Sequence, residues 1–270
     1  MRLRWVIRAL TAAAVLAVGP VAGPLLGAAA GAGPGTPSAA SLSASPSRVR
    51  VAAGGHSSLQ VTNSGARAVV VTAEPAGYAL DVRGRPRIAL SGIAGGSAPW
   101  LVVRPHEFRL APGATVPLAI ATALPKHAAP GDHAALIVLA TRPADVGHVA
   151  VALRLGVVVD VRVPGVVVRR LTLGRIRVRR LASGPTLEVV VANGGNVSEL
   201  LRAGRVEVTL RRRGRVLAVL HAQGQELLPH SAGIVELHYR GHVRGRVTAV
   251  VELSRAAGAR PLQRRLELAL

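Results

Sequence analysis

LEVVVANGGNVSELL (residues 187–201) runs apolar residues into Asn-Gly-Gly and then begins a second apolar run. A shorter version stands upstream as LQVTNSGARAVVV (residues 59–71). Alternating apolar and polar residues point to a half-buried strand in each copy. The Asn-x-Gly that follows is turn chemistry: Asn bonds its own turn and tolerates left-handed backbone, and Gly supplies positive φ. Each copy falls early in a block of roughly 100 residues, the length of an immunoglobulin-like sandwich. Asn63 and Asn193, the latter followed by Gly195, are therefore expected to end the same early strand in two related domains.

The surrounding chain keeps this style. RVRV (48–51), TVPLAIAT (115–122) and VAVALRLGVVVDVRV (149–163) alternate with Gly, Pro, Asn and Asp between them, and after VPG (163–165) the pattern resumes with RIRVRR (175–180), RVEVTLRRRG (205–214), GIVELHYR (233–240) and RVTAVVELS (246–254). Period-two runs at such spacing predict an antiparallel sandwich or barrel. TLRRRGRVLAVL reads as a hairpin around Gly214 with arginines on its water face. Pro117 marks an edge strand or a strand start. VSELLRAG (197–204) is at most one or two helical turns. The expected fold is all-β: two tandem immunoglobulin-like β-sandwiches over 41–163 and 164–270, behind a leader over 1–40.

Composition bounds the function. Half of the 270 residues are hydrophobic but only 2% are aromatic, so the core must be built from Val, Leu, Ile and Ala. The net charge is +21, placed as +3 over 1–40, +5 over 41–161 and +13 over 162–270; Lys126 is the only lysine. A field of this sign attracts anionic partners without naming them. Absence of cysteine excludes disulfides, thiol catalysis and thiolate metal sites.

The first residues, MRLRWVIRALTAAAVLAVGPVAGPLLGAAAGAGPG, put Arg2, Arg4 and Arg8 ahead of an apolar run that Gly19 and Pro20 interrupt. That order is a secretory signal peptide, with small-residue cleavage sites ending at Ala30, Ala32 or near Ala40. The run is too short to span a bilayer, which takes about 20 residues. GPGTPSAASLSASP (33–46) then reads as a disordered Gly/Pro/Ser leader. The mature protein is expected outside the cytoplasm with no integral span, tethered only if the signal is retained.

No catalytic constellation appears, and neither a cofactor nor a metal is expected. His238 and His242 have a spacing that suits a metal on a helix, but on a strand it separates them by about 13 Å. PGDH (130–133) is a turn whose Asp132 and His133 point to opposite faces. Trp100 is expected as a core or inter-sheet anchor. Arg175, Arg177 and Arg179 alternate onto one strand face and, with Arg211, Arg212, Arg213 and Arg215, are the candidate contacts for an anionic partner. Specific nucleic-acid binding would want aromatic platforms or a reading helix, and the chain offers neither.

The first block carries SPSRVRVAAGGHSSLQVTNSGARAVVVT (45–72), APWLVVRPHEFRLAPGATVPLAI (98–120) and HAAPGDHAALIVLAT (127–141). This series resembles the immunoglobulin-like domain shared by periplasmic pilus chaperones of the PapD type and WxL-interacting surface proteins. VVVANGGNVSELLRAGRVEVTLRRRGRVL (189–217) is similar to the second domain of the WxL-interacting type. Turn and core residues over roughly 42–254 carry the likeness, so it implies fold more than function. WxL-interacting proteins are expected to end in a membrane helix and a basic tail, which this chain lacks. Pilus chaperones are expected to hold a subunit's terminal carboxylate with a basic pair in the interdomain cleft; Arg48 or Arg50 could supply one member, and the second has no evident counterpart. The sequence is thus read as a secreted or cell-surface, non-enzymatic protein that binds anionic cell-wall polymer or an envelope protein. The alternative is an extracytoplasmic assembly chaperone acting by strand addition.

Overall fold

The computed structural model describes residues 41–89, 96–142, 144–146, 149–182, 184–242, 244–255 and 259–270. The signal expected over 1–40 lies outside them, as does much of the glycine-rich loop before Trp100. Residues Pro37–Leu270 form one compact unit.

Its first sandwich comprises β1 (Leu42–Ser45), β2 (Arg48–Ala52), β3 (His56–Asn63), β4 (Val69–Leu80), β5 (Pro86–Ala89), β6 (Leu101–Arg104), β7 (Glu107–Leu110), β8 (Thr115–Thr122), β9 (Gly131–Thr141), β10 (Ala144–Val146), β11 (Val149–Val151) and β12 (Arg154–Val163). One sheet runs β1-β3-β8-β6 and the other β2-β12-β9-β4-β5, with β7 also on β4; β10 and β11 pair as a separate hairpin. The chain changes sheets at Pro46. Before it, β1 pairs antiparallel with β3; after it, β2 pairs parallel with β12. Proline has no N–H for either ladder and so sits where the ladders part.

The second sandwich comprises β13 (Leu171–Leu181), β14 (Gly184–Asn193), β15 (Glu199–Leu201), β16 (Val206–Arg212), β17 (Arg215–His221), β18 (Gln225–Leu227), β19 (Ser231–His238), β20 (Arg246–Leu253) and β21 (Leu262–Ala269). Its sheets are β13-β14-β19 and β17-β16-β20-β21, with β15-β18 a short pair beside them. The architecture is two tandem immunoglobulin-like sandwiches. Among the described residues the helical content is one 3-10 turn, Ala98–Trp100.

Each sandwich closes on its own aliphatic core. Leu59, Val61, Leu118, Ile137 and Val159 are buried in the first, and Leu187, Val189, Leu210, Leu237 and Val251 in the second. Val and Ile fit these layers because their branched Cβ is stiff and packs on a pleated surface. Strand β9 is buried on both faces. Ala135, Ile137 and Leu139 enter the first core, while Leu136 and Val138 join Ala76 and Tyr78 in an outer cluster against Leu228 of the second sandwich. That double burial explains why AALIVLA is a continuous apolar run instead of an alternating one.

The two Asn turns are built alike. Asn63 Nδ2 donates to the carbonyls of Arg67, Leu110 and Ala111, and its Oδ1 accepts from the Gly65 N–H. Asn193 Nδ2 donates to the carbonyls of Val197, Leu227 and Leu228, and its Oδ1 accepts from the Gly195 N–H. Both side chains are buried, and each ties the end of its strand to the strand that crosses beneath the turn (β7 or β18).

Two local expectations are corrected. Leader residues 42–45, expected to be disordered, form β1, because Leu42 and Ala44 alternate inward against the first core while the backbone pairs with β3. Residues 199–201, expected as a helical turn, form β15. Glu199 and Leu201 are both buried there with Leu200 exposed, a period-two pattern that pairing with β18 imposes over helix propensity. Pro117 lies inside β8 but near its start; β6 pairs only with residues from Ala119 onward, so the missing N–H leaves no gap in that ladder.

Candidate functional site

The junction between the sandwiches gathers two clusters of ion pairs. The β4–β5 hairpin turns at Asp81, whose Oδ1 accepts the N–H groups of Arg83 and Arg85. Those backbone bonds, the Arg85 one foremost, hold the Asp81 carboxyl below its ordinary value. The tip then enters the second sandwich. Val82 O accepts from the Ile234 N–H at 2.6 Å and from Gln225 Nε2 at 3.1 Å.

Arg83 meets Glu188 at 2.9 Å and also pairs with Glu236. Glu188 is the charge centre of the junction: its side chain is 1% exposed, and Arg177 Nε donates to it at 2.6 Å while Arg179 Nε lies 2.8 Å away. Burial alone would raise its pKa. The Arg83 and Arg177 bonds and their charges overcome that penalty and hold it below the ordinary value.

A second ion cluster lies beside β12. Arg48, at the start of β2, donates to both oxygens of Asp160 on β12 and to both oxygens of Glu226 on β18. Its pKa is raised, first by the Glu226 bonds and then by those to Asp160. Tyr78 beside them is raised by burial and by the charge of Glu226. Arg48 could have supplied half of a basic pair for a partner's carboxylate; instead its guanidinium is already bonded to two carboxylates of this chain. Position 160, opposite Arg50 in the parallel register, is an acid.

The third contact joins backbone groups of the two sandwiches, directly and through the Asp132 and Asn196 side chains. Asp132 N–H donates to Asn196 O at 2.8 Å, Asp132 Oδ2 accepts the Ser198 N–H, and Asn196 Nδ2 donates to Pro130 O and Val166 O. Gly131 permits this approach. A Cβ there would lie 2.1 Å from Asn196 O, and its φ of +127° already disfavours a side chain. Gly131→Ala is therefore expected to separate the sandwiches without unfolding either, so that calorimetry resolves two unfolding transitions where the parent shows one. A single unshifted transition would refute it.

The residues singled out from the sequence fall in different places. Arg177 and Arg179 engage Glu188 and Glu236. Arg175 is exposed beside the β-bulge between Leu173 and Ile176. Arg211, Arg212, Arg213 and Arg215 form the exposed β16–β17 hairpin tip, where Arg213 and Gly214 have φ of 50° and 82°, the signs that a two-residue I′ turn needs. Trp100 packs on the first core with its ring 4.7 Å from that of His133. Asp132 faces the junction while His133 faces Trp100.

His238 Nδ1 pairs with the Thr186 hydroxyl, and no group of three or more metal-ligating residues occurs among the described residues. Two surface depressions, one against Arg83 and Glu236 and one on the β16–β20–β21 face, hold about 220 and 290 Å³.

The sequence reading missed Arg83, Asp160, Glu188 and Glu226. A lone acid inside an apolar strand, as in TLEVVV and GVVVDV, is the signal that could have found two of them, since a buried charge demands a partner.

β12 carries a half-covered edge. On one side it pairs with β9 along its whole length; on the other, β2 covers only Val158 to Arg162. Val158 N–H donates to Ser47 O on that side, so the backbone groups of Gly156, two residues earlier, point the same way, beyond the start of β2. Leu155, Val157, Val159 and Val161 anchor the strand in the core from beneath. Among the described residues no helix is long and apolar enough to cross a membrane.

No family model and no curated protein matches the chain. Among solved structures it is similar to the class 5 fimbriae chaperone CfaA, at 12% identity and a TM-score of 0.47, over 83% of this chain and 98% of that one. It is likewise similar to the Escherichia coli chaperone DraB (17% identity, TM-score 0.44, covering 84% and 98%) and the Pseudomonas aeruginosa CupB2 chaperone (16%, 0.41, covering 84% and 99%).

Proposed function

We propose that this protein is an extracytoplasmic, non-enzymatic binding protein of the assembly-chaperone kind, which holds an extended segment of a surface-protein partner as an added strand along β12. The observation that carries the reading is the half-covered edge of β12, a ten-residue strand paired in full on one side and only over its second half on the other. Main-chain hydrogen bonds to such an edge give affinity whatever the partner's side chains. A junction held by ion pairs and by backbone contacts keeps that edge and the second sandwich in one arrangement, which lowers the entropy lost on binding. Adhesion to anionic wall polymer through Arg175, Arg177 and Arg179 has less support, because two of the three are engaged by Glu188 and Glu236.

Purification of the tagged protein from its own cell envelope tests the reading. A partner at one-to-one stoichiometry is expected, and its release should raise hydrogen exchange at the amide of Gly156. A protein that purifies alone, or a partner whose protection falls elsewhere, would sink it.

A further inference from the structure

Charge in the second sandwich is sorted along its length. Four of its seven acids, Glu188, Glu199, Glu226 and Glu236, are paired with arginines on the sheet faces and at the junction. The opposite composition holds at the end of the sandwich away from the linker. Strand β14 fixes which end this is: its Asn193 end touches the linker, where Gly194 N–H donates to Arg170 O, and its Gly184 end pairs with Leu181. At that far end β13 carries Arg180 as its penultimate residue, β19 leaves through Arg240, and β20 enters through Arg244 and Arg246. The β16–β17 hairpin turns at the same end, since Arg211 is opposite Thr248 near the start of β20.

These segments (180–185, 211–215 and 239–246) hold eight arginines, all exposed, and no acid. Within the described residues none of the eight is ion-paired; Arg180 donates only to Ala269 O. Glu267, held by the Thr248 hydroxyl, is the acid next in register to this end. Beside Arg211 on the outer sheet face stand Val216 and Val219, 52% and 44% exposed on the edge strand β17.

We propose that this end of the second sandwich is a membrane-docking surface for anionic phospholipid. Guanidinium groups bond phosphate oxygens two at a time and are weakly hydrated, so an arginine cluster suits a layer of phosphate headgroups. The exposed valines favour a lipid surface over a soluble polyanion, because apolar side chains next to cations gain by entering the headgroup–acyl boundary. This surface is separate from the β12 edge, so each can fail without the other.

Co-sedimentation of the compact unit 37–270 with vesicles tests it. Binding is expected to vesicles of phosphatidylcholine with phosphatidylglycerol and not to phosphatidylcholine alone, and to weaken as salt rises. Replacing the hairpin cluster (Arg211→Gln, Arg212→Gln, Arg213→Asn, Arg215→Gln) should weaken it on the order of a hundredfold. Asn is chosen at 213 for its left-handed backbone. Removing as much charge from the first sandwich (Arg67→Gln, Arg85→Gln, Arg104→Gln, Arg109→Gln) should change it less than about threefold. Val216→Ser with Val219→Ser should lower the binding that persists at high salt. Equal losses in the two four-arginine variants would overturn the proposal in favour of net charge alone. Binding of soluble polyphosphate without binding of the anionic vesicles would overturn it in favour of a polymer.

Discussion

Asn193→Asp unfolds the second sandwich at neutral pH, or costs it at least about 3 kcal/mol, although the side chain keeps its shape. The amide at 193 is buried with its Nδ2 facing three carbonyl oxygens and its Oδ1 accepting one N–H. A carboxylate satisfies the single donor and turns a second anionic oxygen on the three acceptors. Burial and those carbonyls raise the folded-state pKa of the new Asp above its unfolded value. The lost stability should accordingly return in part as pH falls through that raised value, the recovery being complete by about pH 4, because the proton restores one donor. Asn63→Asp should do the same to the first sandwich, where the pattern of bonds is the same. Urea unfolding at pH 7 and at pH 4 measures both; a variant within about 1 kcal/mol of the parent at pH 7 would show that the turn does not depend on these bonds.

Glu188→Ala is expected to cost about 3 kcal/mol, among the largest effects of removing any single charge from the chain. It leaves Arg83, Arg177 and Arg179 without their shared counter-ion. Their side chains are 31%, 55% and 39% exposed, so water recovers part of the loss and the figure sits at the low end for a broken buried pair. The pH dependence has a definite sign. Glu188 is held below its ordinary 4.5 in the folded state, so its contribution is complete above that value and disappears as pH falls through the folded value. Glu188→Gln should therefore be less stable than the parent at pH 7 and approach it in acid. Thermal unfolding from pH 7 to pH 3 checks this, and parallel curves for parent and variant would exclude the pairing as a source of stability.

Alternation, turn chemistry and the missing aromatics sufficed to read two Val-rich sandwiches, and the two Asn-x-Gly turns located the same strand end in each. Those features are local: a period of two and a positive φ act within a few residues. Even so, local reading failed where a neighbour outweighed it. Residues 42–45 read as disordered leader, yet they pair with β3; residues 199–201 favour a helical turn, yet Leu201 and Glu199 both face inward beside β18.

The site was less legible for the same reason carried further. RIRVRR shows three arginines on one strand face, which reads as a solvated basic stripe. Folding brings Glu188 from the next strand, Glu236 from β19 and Arg83 from the other sandwich to that face, and two of the three arginines become counter-ions. Arg48 is 112 residues from Asp160 and 178 from Glu226, and no spacing rule spans such distances. Side-chain periodicity reports which way a residue points. What it meets there depends on which strands cross over it, and a charge changes role, from free surface to buried partner, over the few ångströms that crossing sets.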